Sequence, residues 1–198
     1  MGGQKLTLIY ENDQLILRDR RPSDVEHFLR WMTTGEWRYF DAPWEGIMDG
    51  MSPEQKTQFR ANFMEKLAAE LPILRTTAVI ELKVDNQPLG WVSRYGEKRF
   101  SDVYCVGIDI CEDVYLNRGA GTAALRLWVN YLFENSCAHK IECHTWSFNY
   151  RMRRVAEKLG CQLEGREREL IEWNDQRQDR LRYGLLRSEW KLFQSPVS

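Results

Sequence analysis

Two glycines one residue apart, Gly119 and Gly121, stand where a strand-like run gives way to a strongly helical one. The stretch reads Gly107-Ile108-Asp109-Ile110-Cys111-Glu112-Asp113-Val114-Tyr115-Leu116-Asn117-Arg118-Gly119-Ala120-Gly121-Thr122-Ala123. The start of a helix offers free backbone N–H groups and the positive end of the helix dipole, and glycine lets a phosphate approach closely. Thr122 can add a hydroxyl donor. The chemistry this pattern suits is holding a phosphate or pyrophosphate.

Other glycine motifs compete for the same letters. A Walker loop needs a lysine after its second glycine, and Thr122 follows Gly121, which excludes it. A dinucleotide fingerprint fits better, since Gly119-Ala120-Gly121-Thr122-Ala123-Ala124 satisfies G-x-G-x-x-A and Glu142 lies about 20 residues onward. Its surroundings do not fit. About seven non-strand residues separate the strand from the glycines, and polar alternating strands follow Gly160 in place of further strand–helix units. A structural turn without phosphate is the remaining plain reading.

The elements that must position this loop follow from periodicity. Residues 6–10 and 14–19 alternate around a turn signal at Asn12-Asp13, which predicts a hairpin or bent strand. Ser23 and Glu26 have capping-box spacing before a helix carried by Val25, Phe28, Leu29 and Met32. Residues 33–50 form an aromatic and acidic loop, and Ser52-Pro53 with Gln55 starts a second helix that runs to Pro72. The period then becomes two, predicting strands over 76–83, 89–95 and 102–111. Ala124, Leu127, Trp128, Tyr131 and Leu132 mark the helix after the glycines. A strand over 140–146, a helix ended by Gly160, and polar strands over 162–171 and 179–186 close the chain.

The bulk numbers bound the partners. The 198 residues carry 28 basic and 29 acidic side chains, a balance that argues against a polyanionic partner such as nucleic acid. The Arg-rich stretch 177–182 alternates like a half-solvated strand. Five cysteines, none at metal-ligand spacing, read as buried thiols in a reducing cytosol, and no metal is expected. No apolar run reaches the ~18 residues of a membrane span, and the amino-terminal residues lack a secretory h-region, so a cytoplasmic location without membrane attachment is expected.

The order of motifs resembles the GNAT acetyltransferases, whose signature is [Q/R]-x-x-G-x-[G/A] between their fourth strand and third helix. Leu116-Asn117-Arg118-Gly119-Ala120-Gly121 occupies that slot. The helix Asn149-Tyr150-Arg151-Met152-Arg153-Arg154-Val155-Ala156-Glu157-Lys158-Leu159-Gly160 matches the family's second marker. The ending Asp179-Arg180-Leu181-Arg182-Tyr183-Gly184-Leu185-Leu186-Arg187-Ser188-Glu189-Trp190 looks like the Rim-type branch, which acetylates ribosomal-protein amino termini. The resemblance covers roughly residues 15–190. It implies a three-layer α+β (α/β) fold: a mixed, mostly antiparallel sheet of about seven strands with a splayed parallel pair, flanked by about four helices. One domain would span 1–198, with acceptor-side helices and loop at 22–72, the acetyl-CoA core at 76–160 and a terminal strand pair at 162–190. Three departures stand out. Leu116 replaces the usual Gln or Arg, Ala156 stands where many members carry a tyrosine acid, and Cys161 replaces a common Phe.

The resemblance further implies acetyl-CoA as cosubstrate and direct attack by a primary amine on the thioester. The acceptor would be a protein amino terminus, amino acid, polyamine or aminoglycoside, and a homodimer is a plausible assembly. Ile110, Cys111, Leu116, Arg118, Gly119, Ala120, Gly121, Thr122, Asn149 and Arg154 are the expected cofactor contacts. For the general base three residues stay open. Asp109 shares a strand face with Gly107 and Cys111, Glu81 lies on an earlier strand, and His144 lies across the gap. Trp37, Asp41, Trp44 and Glu45 are expected to form the acceptor wall, where aromatics and carboxylates suit a cationic amine. An acyl-cysteine at Cys111 or Cys143 is not required, and a catalytically silent acyl-CoA-binding module is the alternative from another class.

Overall fold

The computed structural model describes residues 8–41, 43–45, 49–96 and 101–194. Eight strands form one sheet: β1 (Leu8–Glu11), β2 (Leu15–Arg18), β3 (Thr77–Leu82), β4 (Pro88–Tyr95), β5 (Val103–Ile110), β6 (Lys140–Trp146), β7 (Gln162–Trp173) and β8 (Gln176–Leu186). Their spatial order is β1-β2-β3-β4-β5-β6-β8-β7, and every neighbour pair is antiparallel except β5 and β6. The helices are α1 (Val25–Trp31), α2 (Pro53–Ala68), α3 (Ala120–Asn135), α4 (Tyr150–Lys158) and α5 (Arg187–Gln194). The strand total is eight because the first two segments pair as a true hairpin. The fifth helix, α5, continues the polar terminal run that alternation alone leaves unassigned.

Two apolar layers hold the helices to opposite faces. Leu125, Trp128 and Leu132 of α3, and Ala156 and Leu159 at the end of α4, are buried with Leu17, Ile80, Val92, Val106, Ile141 and Leu185 of the sheet. On the other face Phe28 and Trp31 of α1 and Phe63 of α2 close over Val79 and Cys111. Trp91 stacks on Phe28 with ring centroids 5.3 Å apart. The second layer is small, and a buried ion-pair network supplements it. Arg18 donates to both Asp24 oxygens (2.7 and 2.8 Å) and to Glu81 (2.7 Å), all three side chains being almost fully buried.

Local sequence explains most boundaries. Ser52 and Gln55 make the reciprocal capping box expected for α2, with Gln55 N–H donating to Ser52 Oγ (3.2 Å) and Ser52 N–H to Gln55 Oε1 (2.7 Å). The Ser23–Glu26 box does not form. The chain instead enters α1 through a 3-10 turn over Pro22–Asp24, where the Asp24 carboxylate accepts the Arg21 N–H at 2.8 Å. Gly160 ends α4 at φ +82°. Asn174 and Asp175 both have positive φ, +52° and +57°, which is the two-residue turn that suits the β7–β8 hairpin. Arg187 closes the carboxy end of α3 by donating to the carbonyls of Phe133, Ser136 (2.9 Å) and Ala138 (2.6 Å).

One close approach in the sheet decides where β5 runs. Gly90 of β4 has φ +154°, and a Cβ there would lie 1.9 Å from the Asp109 carbonyl oxygen. Beside it the Cys111 N–H donates to the Leu89 carbonyl at 2.7 Å. Gly90→Ala is therefore expected to lower unfolding free energy by about 1–3 kcal/mol, read by denaturant titration. Unchanged stability would show that β4 and β5 tolerate a wider spacing.

Candidate active site

The parallel pair β5–β6 is the structural origin of the site. Pairing runs only from Val103↔Lys140 to Cys105↔Glu142, although β5 continues to Ile110 and β6 to Trp146. Beyond Cys105 and Glu142 the two strands part, and their facing backbone edges leave the ladder. The gap opens into a cleft of about 600 Å³ lined by both strands, by the glycine loop and by α4. Unpaired N–H and C=O groups on these edges are fixed hydrogen-bonding partners for an extended amide-containing ligand.

At one end of the cleft lies the start of α3. Gly119 is its N-cap in the left-handed conformation, φ +89°, and no side chain caps the helix. A Cβ at Gly119 would meet nothing within 4 Å, so its backbone faces open space. Gly119, Gly121 and Thr122 line the cleft, with Leu116 and Asn117 beside them. Arg118 and Ala120 belong to the same loop but lie outside the lining, and Arg118 is exposed. The cations that do reach the cleft here are Arg154 and Lys158, one helical turn apart on α4. This end is a helix amino terminus with unsatisfied N–H groups and two cations, a suitable seat for a pyrophosphate.

Midway, Asn149 lines the cleft, but its side chain also has local duties. Its Oδ1 accepts the Met152 N–H (3.0 Å), capping α4, and its Nδ2 donates to the Phe40 carbonyl (3.1 Å). Ile110 lines the cleft. Cys111 does not: its thiol is buried in the α1–α2 layer and its N–H is taken by Leu89, so neither is free for a ligand.

At the other end stand aromatic rings and carboxylates. Trp37, Phe40, Trp91 and Trp146 form the walls. Trp44 lies behind them, edge-on to Trp146 at 4.6 Å, as a buttress outside the lining. Asp41 faces the cleft; the side chain of Glu45 lies outside the described residues. Arg151 pairs with Glu36 and Arg180 with Glu167, so the nearby cations already have anionic partners.

The three candidate bases separate by environment. Glu81 is not in the cleft; it is buried in ion pairs with Arg18 and Arg21, and its role is to tie β3 to the entrance of α1. His144 lines the cleft, is about two-fifths exposed, and meets Glu142 Oε2 at 3.1 Å. Asp109 also lines the cleft, and no described side chain donates to its carboxylate. Burial, with the nearby Asp41 charge added, raises the Asp109 carboxyl well above the ordinary carboxylate range. Several lining residues escaped the sequence reading. Trp91, Ser93 and Tyr95 share a strand face, and the β4–β5 register sets them opposite Asp109, Gly107 and Cys105. Lys158 stands one turn from Arg154, a signal that helical spacing could have supplied.

The sequence profile of the Acetyltransferase (GNAT) domain family matches residues 14–162. No curated protein sequence matches the chain. Among solved structures, an acetyltransferase of the GNAT family from Bacillus anthracis superposes with a TM-score of 0.71 at 20% identity, covering 91% of this chain and 99% of that one. The spermidine N-acetyltransferase of Vibrio cholerae in complex with CoA and spermine gives 0.68 at 18% identity, covering 91% and 99%. A ribosomal alpha-N-protein acetyltransferase in complex with coenzyme A gives 0.67 at 13% identity, covering 92% and 99%. An open cleft at a splayed parallel pair, under a glycine-started helix, is the architecture of a coenzyme A-dependent acyltransferase. The chain belongs to the GNAT acetyltransferase family, and its cosubstrate is acetyl-CoA. No described helix is long and apolar enough to cross a membrane.

Two carboxylates with opposite surroundings predict opposite mutational outcomes. Glu81→Ala takes from the buried Arg18 one of its two carboxylate partners and leaves Arg21 without its carboxylate, and is expected to cost about 3–5 kcal/mol of stability. Asp109→Asn is expected to leave stability equal or higher. A carboxyl whose folded pKa is raised destabilises the fold progressively as pH climbs from about 3.9 to that pKa. The Asn variant should therefore match the parent at pH 3.5 and gain on it toward neutrality, measured by thermal unfolding. The opposite trend would show that Asp109 has a stabilising cationic partner.

Proposed function

We propose that this protein is an N-acetyltransferase acting on a primary amine that carries further positive charge, with Asp109 as its general base. The observation that carries the reading is the position of Asp109. It is a carboxyl in the cleft lining, on the strand entering the glycine loop, with a proton affinity raised well above the ordinary carboxylate range and no described donor holding it. A base with these properties can take a proton from an ammonium or from a bridging water.

The cosubstrate has a matching seat. The pyrophosphate would lie on the N–H groups at Gly119–Thr122, with Arg154 and Lys158 balancing charge. A second groove shares Gly119, Thr122 and Lys158 with the cleft and adds Arg126, a continuation for the nucleotide portion. The pantetheine arm would run between the parted edges of β5 and β6, past Asn149. Transfer then needs one bond made and one broken. The amine nitrogen bonds to the thioester carbon, its proton passes to Asp109, and the carbon–sulfur bond releases the CoA thiolate. Ala156 is buried and offers no acid, so the thiolate takes its proton from water.

The acceptor end supports a cation. Asp41 and Asp109 share it with Trp37, Phe40, Trp91 and Trp146, whose faces favour ammonium groups. A polyamine fits this wall, as does a protein amino terminus, the substrate type of the Rim-type branch.

Calorimetry with acetyl-CoA is the direct check on the cosubstrate seat. A Cβ at Gly121 would have Ile110, Ile108 and Val155 as its nearest neighbours, at ordinary contact distances of 3.6–3.9 Å, so Gly121→Glu is expected to fold while placing a carboxylate at the pyrophosphate seat. The parent should bind and the variant should lose binding at least tenfold, the price of one like-charge contact of about 1.4 kcal/mol. Asp109→Asn should bind acetyl-CoA like the parent. Its turnover with spermidine or a basic peptide amine should fall about 10²–10⁴-fold, and the rising limb of the parent's rate–pH profile should vanish. Binding without turnover on any amine would identify a silent acyl-CoA-binding module.

A further inference from the structure

Beside the cleft, three side chains of different chemistry meet. Cys105 of β5 is paired in register with Glu142 of β6, and His144 lies two residues beyond Glu142 on the same face. Their ligand atoms, one sulfur, one carboxylate oxygen and one imidazole nitrogen, all lie within 4.8 Å of one another. No other such trio occurs among the described residues. His144 Nε2 and Glu142 Oε2 are 3.1 Å apart. A tetrahedral zinc ion with bonds of about 2.0–2.2 Å to nitrogen and oxygen sets those two atoms about 3.3 Å apart. The imidazole and carboxylate are already spaced as tetrahedral ligands, and the thiol, within 4.8 Å of both, must close by at most about 1.3 Å.

We propose that Cys105, Glu142 and His144 form a binding site for a zinc-class divalent ion, with a fourth position left to water. The surroundings are those of a supported ligand set. Lys140 donates to Glu142 Oε1 at 2.8 Å, which leaves Oε2 for the ion and fixes the carboxylate plane. Lys140 is itself held by Glu164 (2.5 Å). The Tyr95 hydroxyl and the His144 backbone N–H both face the Cys105 sulfur, donors of the kind that steady a metal-bound thiolate. Binding forms a sulfur–metal bond and releases the thiol proton to solvent, so affinity rises with pH. A sulfur and an imidazole among three ligands select Zn²⁺ or Co²⁺ over Mg²⁺ or Ca²⁺, which require oxygen.

The site also bears on turnover. His144 lines the cleft, so an ion bound to it adds positive charge beside the path of a cationic acceptor. Zinc is accordingly an inhibitor, a consequence that rests on the acetyl-transfer reading, whereas binding itself does not.

Cobalt(II) titration of the reduced full chain, without acetyl-CoA, tests the site. The expected result is one ion per chain, with a near-ultraviolet thiolate-to-cobalt charge-transfer band and tetrahedral visible bands that one equivalent of Zn²⁺ removes. Cys105→Ser should abolish the charge-transfer band, and Cys137→Ser, which removes the exposed thiol, should keep it. If Cys105→Ser does not fold, Glu142→Gln replaces it, with zinc affinity expected to fall about tenfold or more by calorimetry. Absence of the band, or a band unchanged in Cys105→Ser, overturns the site. Cys105 lies outside the cleft lining, so Cys105→Ser should acetylate at the parent rate and resist zinc that slows the parent several-fold. A cobalt band without zinc inhibition keeps the site and removes its regulatory consequence.

Discussion

Backbone polar groups that leave a sheet ladder inside a protein must find partners, and this molecule concentrates that demand between β5 and β6. The two strands share only three register pairs before they part, while their outer edges are paired with β4 over Cys105–Ile110 and with β8 over Lys140–Trp146. The parting therefore costs hydrogen bonds on one line only, and the sheet remains a rigid frame around it. Everything else in the site is arranged about that opening. The glycine loop sits at its mouth, α4 runs alongside, and the aromatic loop closes the far end. A ligand with alternating amide donors and acceptors restores what the strands give up.

Carboxylates show how one residue type is divided between structure and chemistry. Asp24 and Glu81 are buried as deeply as any apolar residue, yet they stay matched to Arg18 and to each other's elements. Their charges fix α1 against the sheet, the wall that the following aromatic loop hangs from. Asp109 has no such partner among the described residues and is instead strained electrostatically, by burial first and by Asp41 second. The difference lies in surroundings alone, and it separates a structural strut from a carboxyl whose proton is held tightly.

The parts of this arrangement that were legible in the sequence are the local ones. The Ser52–Gln55 box, the Gly160 stop and the glycine-started α3 each depend on residues within a few positions, so spacing reveals them. The overall α+β class followed from the order of such signals. Glu81 was misplaced because its partner Arg18 lies 63 residues away, and nothing near Glu81 in the chain announces a buried arginine. Cys111 was misread for a related reason: strand alternation puts it on the cleft side, but the small core under Phe28 and Trp31 claims that position. Ser23–Glu26 had capping spacing and lost to Asp24, whose carboxylate serves both Arg18 and the Arg21 N–H. The Cys105–Glu142–His144 grouping has no sequence signature, since it exists only through the parallel register of two strands 30 residues apart in their first loop-to-helix crossover.

The place of β8 has a consequence for the order in which the molecule is completed. It is the last of the described strands in sequence, yet it lies between β6 and β7. During synthesis the glycine loop, α3 and both cleft-lining strands emerge well before it, and until it arrives β6 has a bare outer edge along Lys140–Trp146. The wall that carries His144 and Trp146 is held on one side by just three register pairs, so the nascent cleft has no fixed width. Insertion of β8 supplies seven, and Arg187 immediately after it locks the far end of α3. Competence for the coenzyme thus waits on the closing of the sheet by β8.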